Sequence, residues 1–130
     1  MSDDLFGDSL RLTARLVDRG DHADAVTVLR PWMDSGLPPF EKTIVSYNLA
    51  QVYAHLQQPA EVIAWFDRGI ALERPLRRTL LAEGKAAWLA NNGRGDEAVA
   101  LWLALLGEDL LDAEGRARVE ANLATTLKAR

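Results

Sequence analysis

Two histidines, His22 and His55, no cysteine, and serines at 2, 9, 35 and 46 are the side chains that nucleophilic or metal chemistry would call on first. A serine nucleophile needs a base within hydrogen-bond reach, and no spacing here pairs a serine with either imidazole. Asp18, Asp21, His22 and Asp24 gather three carboxylates and one imidazole, a donor set that a cation could use. The cluster crosses a helix break, however, and Asp21 is already suited to capping the helix that follows. Gly93-Arg94-Gly95-Asp96-Glu97-Ala98 fits the Gly-x-Gly-x-x-Ala dinucleotide pattern, with acidic Asp112 and Glu114 about 20 residues further on. Such a loop cradles pyrophosphate only where it joins a strand to a helix. The preceding Leu80 to Asn91 has helical spacing, so the segment reads as a glycine-rich turn. The expectation is no enzyme activity, no cofactor and no metal.

Charge narrows the partners. Fifteen Lys and Arg against nineteen Asp and Glu leave a formal net charge of −4 in 130 residues. Arg74, Arg77 and Arg78 make the one strongly basic patch, and the acidic stretch Glu108, Asp109, Asp112 and Glu114 opposes it. Phosphate backbones and anionic membranes reward the opposite balance, so neither nucleic acid nor membrane is an expected partner. The start, Met1-Ser2-Asp3-Asp4, is acidic where a signal peptide would be basic, and no apolar run approaches the ~20 residues that span a bilayer. Without cysteine there is no disulfide framework. A cytoplasmic location is expected.

The elements that must position any site follow from a repeat. Leu12, Leu49, Ala86 and Leu123 recur every 37 residues, and Ala25, Val62 and Val99 keep the same spacing. Tyr47-Asn48-Leu49-Ala50 returns as Ala121-Asn122-Leu123-Ala124. A period in the 30s holds two helices and two turns. Leu5, Leu12 and Leu16 mark a first helix that stops at Gly20, and Asp21 opens a second that ends by Gly36. The third runs from about Glu41 to Leu56, and Pro59 opens the fourth. Pro75 opens the fifth, which stops at Asn92-Gly93. Asp96 or its neighbours start the sixth. A last helix, from Asp112 to about Lys128, carries Val119, Leu123 and Leu127 as a narrow apolar stripe. No alternating run makes a convincing strand.

Ser46-Tyr47-Asn48-Leu49-Ala50-Gln51-Val52-Tyr53, followed by Ala60-Glu61-Val62-Ile63-Ala64-Trp65-Phe66 and Gly69-Ile70-Ala71-Leu72, closely resembles a tetratricopeptide repeat. The resemblance covers nearly the whole chain, although its units of 37 exceed the family's usual ~34 and Glu97-Ala98 falls one residue off the period. It implies an all-α fold: a right-handed α-solenoid of about three antiparallel helix pairs plus a C-terminal capping helix. The chain is then a single domain, 1–130, with repeats at about 3–36, 40–74 and 75–107 and a capping helix at about 112–129.

The same resemblance implies a non-enzymatic protein–protein interaction module, an adaptor or scaffold that takes a partner protein or peptide in its concave groove. Carried over by position, that groove comprises Arg11, Tyr47, Asn48, Gln51, His55, Lys85, Trp88 and Asn122, with Leu10 and Ala14 from the first unit and Thr125 from the last. Arg11, Asn48, Lys85 and Asn122, each just before the repeated position, form a polar ladder suited to a peptide backbone or carboxylate. Some family members clamp a C-terminal carboxylate with lysines and asparagines. Here Leu10 and Ala14 replace two of those groups, leaving Asn48 and Lys85. The alternative is a structural role as a homodimer formed through the terminal helices or exposed aromatics.

Overall fold

The computed structural model describes residues 4–130, and within them every regular element is helical. Residues 1–3, which include Ser2 and the expected start of the first repeat, lie outside the described residues. Packing divides the chain into two compact units, Met1–Leu72 and Glu73–Arg130. The first contains α1 (Leu5–Asp18), α2 (His22–Leu29), a 3₁₀ turn (Arg30–Asp34), α3 (Pro39–His55) and α4 (Pro59–Glu73), whose last residue already belongs to the second unit. The second contains a short 3₁₀ turn (Arg74–Leu76), α5 (Leu80–Asn91), α6 (Gly95–Gly107) and α7 (Ala113–Ala129).

Chain reversal within each expected pair uses one device. Gly20, Gln57 and Gly93 sit in the left-handed region with φ of 81°, 57° and 76°. The amide after each reaches back to an otherwise orphaned helix carbonyl, Asp21 to Leu16, Gln58 to Tyr53 and Arg94 to Leu89, at 2.8, 3.1 and 2.9 Å. This is the six-to-one closure of a Schellman motif. The three turn residues lie 37 and then 36 residues apart, so the period written in side chains is also written in the backbone. The shortfall of one explains why the third unit slips: Ala98, fully buried, takes the place that the strict period gave to half-buried Val99.

In the first unit, Leu16, Ala25 and Val52 form one core cluster, with Val17, Val26, Val28 and Leu56 packed against it. The cluster therefore ties the C-terminal halves of α1 and α3 to α2. α2 has only eight residues; the tighter Arg30–Asp34 turn continues it and carries fully buried Met33. At the opposite end of α1, Phe6 meets Trp32 edge-on at 5.4 Å. Between α3 and α4 the approach is close enough for the buried hydroxyl of Ser46 to donate to the carbonyl of Trp65. Ala50, one turn on, is fully buried.

In the second unit, α6 packs on both α5 and α7, and α7 also touches α5. The buried face of α7 is Gly115, Val119 and Thr126. The expected stripe is thus corrected at its end: Leu127 is exposed, and Thr126 faces inward because its hydroxyl accepts the indole N–H of buried Trp102 at 3.2 Å. Arg118 adds a fork of 2.7 and 3.1 Å onto Glu83 of α5. Asp112 caps α7 by accepting the Gly115 amide at 2.7 Å.

One boundary and one cap differ from expectation. Pro75 lies in the 3₁₀ turn, and α5 begins only at Leu80, because buried Glu73 accepts the amides of Leu81 and Ala82 at 2.8 and 3.0 Å and so caps α5 from eight residues away. Asp21 does occupy the N-cap position of α2, but its side chain makes no capping hydrogen bond and instead lies 3.7 Å from Arg19. Exposed ion pairs of that kind contribute ~0–1 kcal/mol each. Full burial of one leucine or methionine contributes ~1.5–3 kcal/mol. Leu29 and Met33, both essentially inaccessible, therefore outweigh the surface charges in holding the first unit together.

Two substitutions test this account. Gly20→Ala meets no atom within 4 Å, so its whole cost is the left-handed backbone; urea unfolding should show a loss of about 1 kcal/mol. Ala50→Leu has no room at a fully buried position and should cost ~1–3 kcal/mol in the same assay.

Candidate functional site

α1 and α3 place a groove between them on the surface of the first unit. Its volume is about 340 Å³, and its walls are Leu10, Thr13, Ala14, Val17 and Asp18 from α1 and Asn48, Gln51, Val52 and His55 from α3. On α1, Leu10, Ala14 and Asp18 are four residues apart, as are Thr13 and Val17, so two adjacent helical rows form one wall. Asn48, Gln51, Val52 and His55 repeat that pattern on α3. The floor is apolar, and amide groups stand on one side. The Nδ2 of Asn48 donates to the Ile44 carbonyl at 2.9 Å, which fixes the rotamer and turns its Oδ1 away as an open acceptor. Gln51 is exposed.

His55 closes one end. It is the last residue of α3 and stacks on His22, the first of α2, with ring centroids 4.7 Å apart and planes 5° from parallel. The Nδ1 of His22 is buried and has no hydrogen-bond partner among the described residues.

Three of the expected groove residues, Asn48, Gln51 and His55, are brought together here, joined by Leu10 and Ala14. Arg11 is not a wall residue; it is exposed and paired with Asp8 one turn back on α1. Tyr47 also turns away, its ring edge-on to Phe66 at 6.2 Å, so it serves the α3–α4 packing. Lys85, Trp88 and Asn122 belong to the second unit. Lys85 and Trp88 are half-buried and Asn122 is exposed. The Asn122 carbonyl accepts the Thr126 hydroxyl at 2.7 Å, and the Trp88 carbonyl accepts Asn92 Nδ2 at 2.7 Å. Sequence reasoning missed Thr13, Val17, Val52 and Asp18 as groove walls. The signal for Asp18 was present: it stands one 37-residue period before His55.

The other chemical candidates resolve locally. Gly93 to Ala98 joins α5 to α6, helix to helix, where Arg94 pairs with Glu97 at 2.7 Å and Asp96 with Arg130 at 2.6 Å. Among the described residues, no three His, Cys, Asp or Glu side chains are grouped to hold a metal ion. In the arginine patch, Arg74 binds Glu108 at 2.8 Å and Arg77 donates to the Asp109 carbonyl at 2.7 Å. Ser35 donates to the Trp32 carbonyl at 2.5 Å and Ser46 to that of Trp65, so neither hydroxyl faces an imidazole. Among the described residues, no helix is long and apolar enough to cross a membrane.

No protein-family model matches this chain, and neither a curated protein nor a solved structure matches it.

Glu73 is a carboxyl whose pKa is raised. Burial pushes its pKa above the ordinary glutamate value and the charge of Glu83 adds to this, while the Leu81 and Ala82 amides and Arg74 pull the other way. With the folded-state value above the unfolded one, folding takes up a proton. The stability linked to this group is therefore full below the ordinary glutamate range and is lost as pH rises through the raised value. Glu73→Gln should remove that fall, so its urea midpoint should vary less than the parent's as pH rises from the ordinary glutamate range. It should also cost ~1–3 kcal/mol throughout, because a carboxamide cannot accept both amides through two oxygens.

Proposed function

We propose that this chain is a tetratricopeptide-like helical-repeat protein that works without chemistry as a cytoplasmic binding module, taking a peptide segment of another protein in the groove between α1 and α3. The carrying observation is the groove itself: an apolar floor with the amides of Asn48 and Gln51 beside it, on two helices that the Leu16–Ala25–Val52 cluster holds. Apolar surface rewards a side chain, and carboxamides both donate to and accept from an extended backbone. Because helices already fix the walls, little conformational entropy is lost on this side of the complex.

The repeating Schellman turns at Gly20, Gln57 and Gly93 support the family reading. Serine hydroxyls engaged with backbone carbonyls and a histidine pair engaged with itself support the non-enzymatic reading. The absence of cysteine is in keeping with a cytoplasmic setting.

Display of a random peptide library on phage, selected against the full chain, tests the proposal. Ala14→Trp fills the groove from an exposed position and should abolish capture of the selected peptides while leaving the circular dichroism and melting temperature unchanged. Selection of no peptide, or capture that survives Ala14→Trp, would overturn the groove as the binding site.

A further inference from the structure

The groove has a polarity that says what kind of peptide fits it. Its α1 wall is apolar at Leu10 and Ala14 and carries Asp18 at the far end, the one formally charged side chain that lines the groove. Asp18 is the last residue of α1 and His55 the last of α3. Leu16 of α1 clusters with Val52 and Leu56 of α3, so the two helices finish side by side. The turn amides already occupy the Leu16 and Val17 carbonyls at the end of α1 and the Tyr53 and Ala54 carbonyls at the end of α3, so the Asp18 carboxylate is the main negative group there. That carboxylate makes a negative site beside the apolar walls of Leu10, Ala14, Val17 and Val52.

Among the described residues, no basic side chain forms an ion pair with it. Arg19 turns to Asp21 at 3.7 Å and Arg11 to Asp8, while Arg15, one turn back on α1, makes no ion pair with Asp18. His22 and His55 spend their faces on each other. A carboxylate at a helix C-terminus works against that helix's own dipole. Asp18 thus contributes nothing to α1 that the fold requires.

Resting on the groove reading, we infer that the occupant is an extended segment of a partner protein with an aliphatic side chain and a lysine or arginine two residues apart, the cation held at Asp18. The spacing follows from the geometry. Ala14 and Asp18 are one helical turn apart, about 6 Å along the axis. In an extended chain, side chains on one face recur every second residue, about 6.6 Å apart. An aliphatic side chain over Leu10 and Ala14 therefore delivers the second side chain to Asp18. The whole groove, nine residues of α1 from Leu10 to Asp18 or about 12 Å long, takes about three or four residues of such a strand.

The test is fluorescence anisotropy of the full chain, at low and moderate salt, with labelled hexapeptides of Gly-Ser background carrying Leu-x-Arg, Arg-x-Leu, Leu-x-Glu or Ala-x-Arg. The better of the two Leu/Arg peptides should bind about five- to tenfold tighter than Leu-x-Glu, and the preference should shrink as salt rises. Asp18→Asn should erase the preference and Asp18→Lys should reverse it, with melting no lower than the parent's because the side chain is exposed and opposes the helix dipole. Equal binding of acidic and basic peptides, or a basic preference that survives Asp18→Lys, would overturn the inference while leaving the groove reading intact if Ala14→Trp still blocks binding. Loss of every peptide interaction overturns both. A dimer seen by sedimentation that Asp18→Lys abolishes would make a second copy the occupant and overturn the partner named here.

Discussion

Everything in this chain depends on turning a helix back on itself within two or three residues. A helix ends with unsatisfied carbonyls, and a chain that reverses must satisfy them while changing direction. One left-handed residue followed by a six-to-one hydrogen bond does both at Gly20, Gln57 and Gly93. Each reversal closes with the same six-to-one hydrogen bond. That consistency is what lets side chains recur at a fixed period and still meet equivalent neighbours. Where glycine occupies the position, the backbone pays nothing. Gln57 holds it at the cost of crowding its own Cβ.

The groove is a by-product of the same constraint. α1 and α3 run in the same sense because α2 lies between them in sequence and core, and two helices so placed leave a trough along their shared outer side. The sequence need only set small or apolar residues on the wall rows and choose what stands at the ends. Ala14 keeps the trough open, and Asp18 and His55, equivalent by the period, close it with different chemistry.

Most of the fold could be read from residue types because its signals are local: glycines at the turns, prolines at helix starts and apolar rows at three- and four-residue steps. What escaped was set by contacts distant in sequence. Glu73 delays α5 to Leu80 because its carboxylate caps amides eight and nine residues away, and no propensity encodes that. Thr126 displaces Leu127 from the buried face because Trp102, on another helix, needs an acceptor. Three of the eight expected site residues line the groove. Asn48, Gln51 and His55 follow from position in the repeat, but Arg11 and Tyr47 found nearer partners in Asp8 and Phe66, which outbid solvent.

The Trp102 indole has a further consequence for motion. Its ring is 1% exposed, and its only donor is committed to the Thr126 hydroxyl, itself anchored to the Asn122 carbonyl one turn back. Water can reach that proton only when α7 comes away from α6. The rate at which this single indole hydrogen exchanges for deuterium is therefore a clock for the partial opening of the second unit. It reads the free energy of releasing the last helix separately from that of unfolding the remainder.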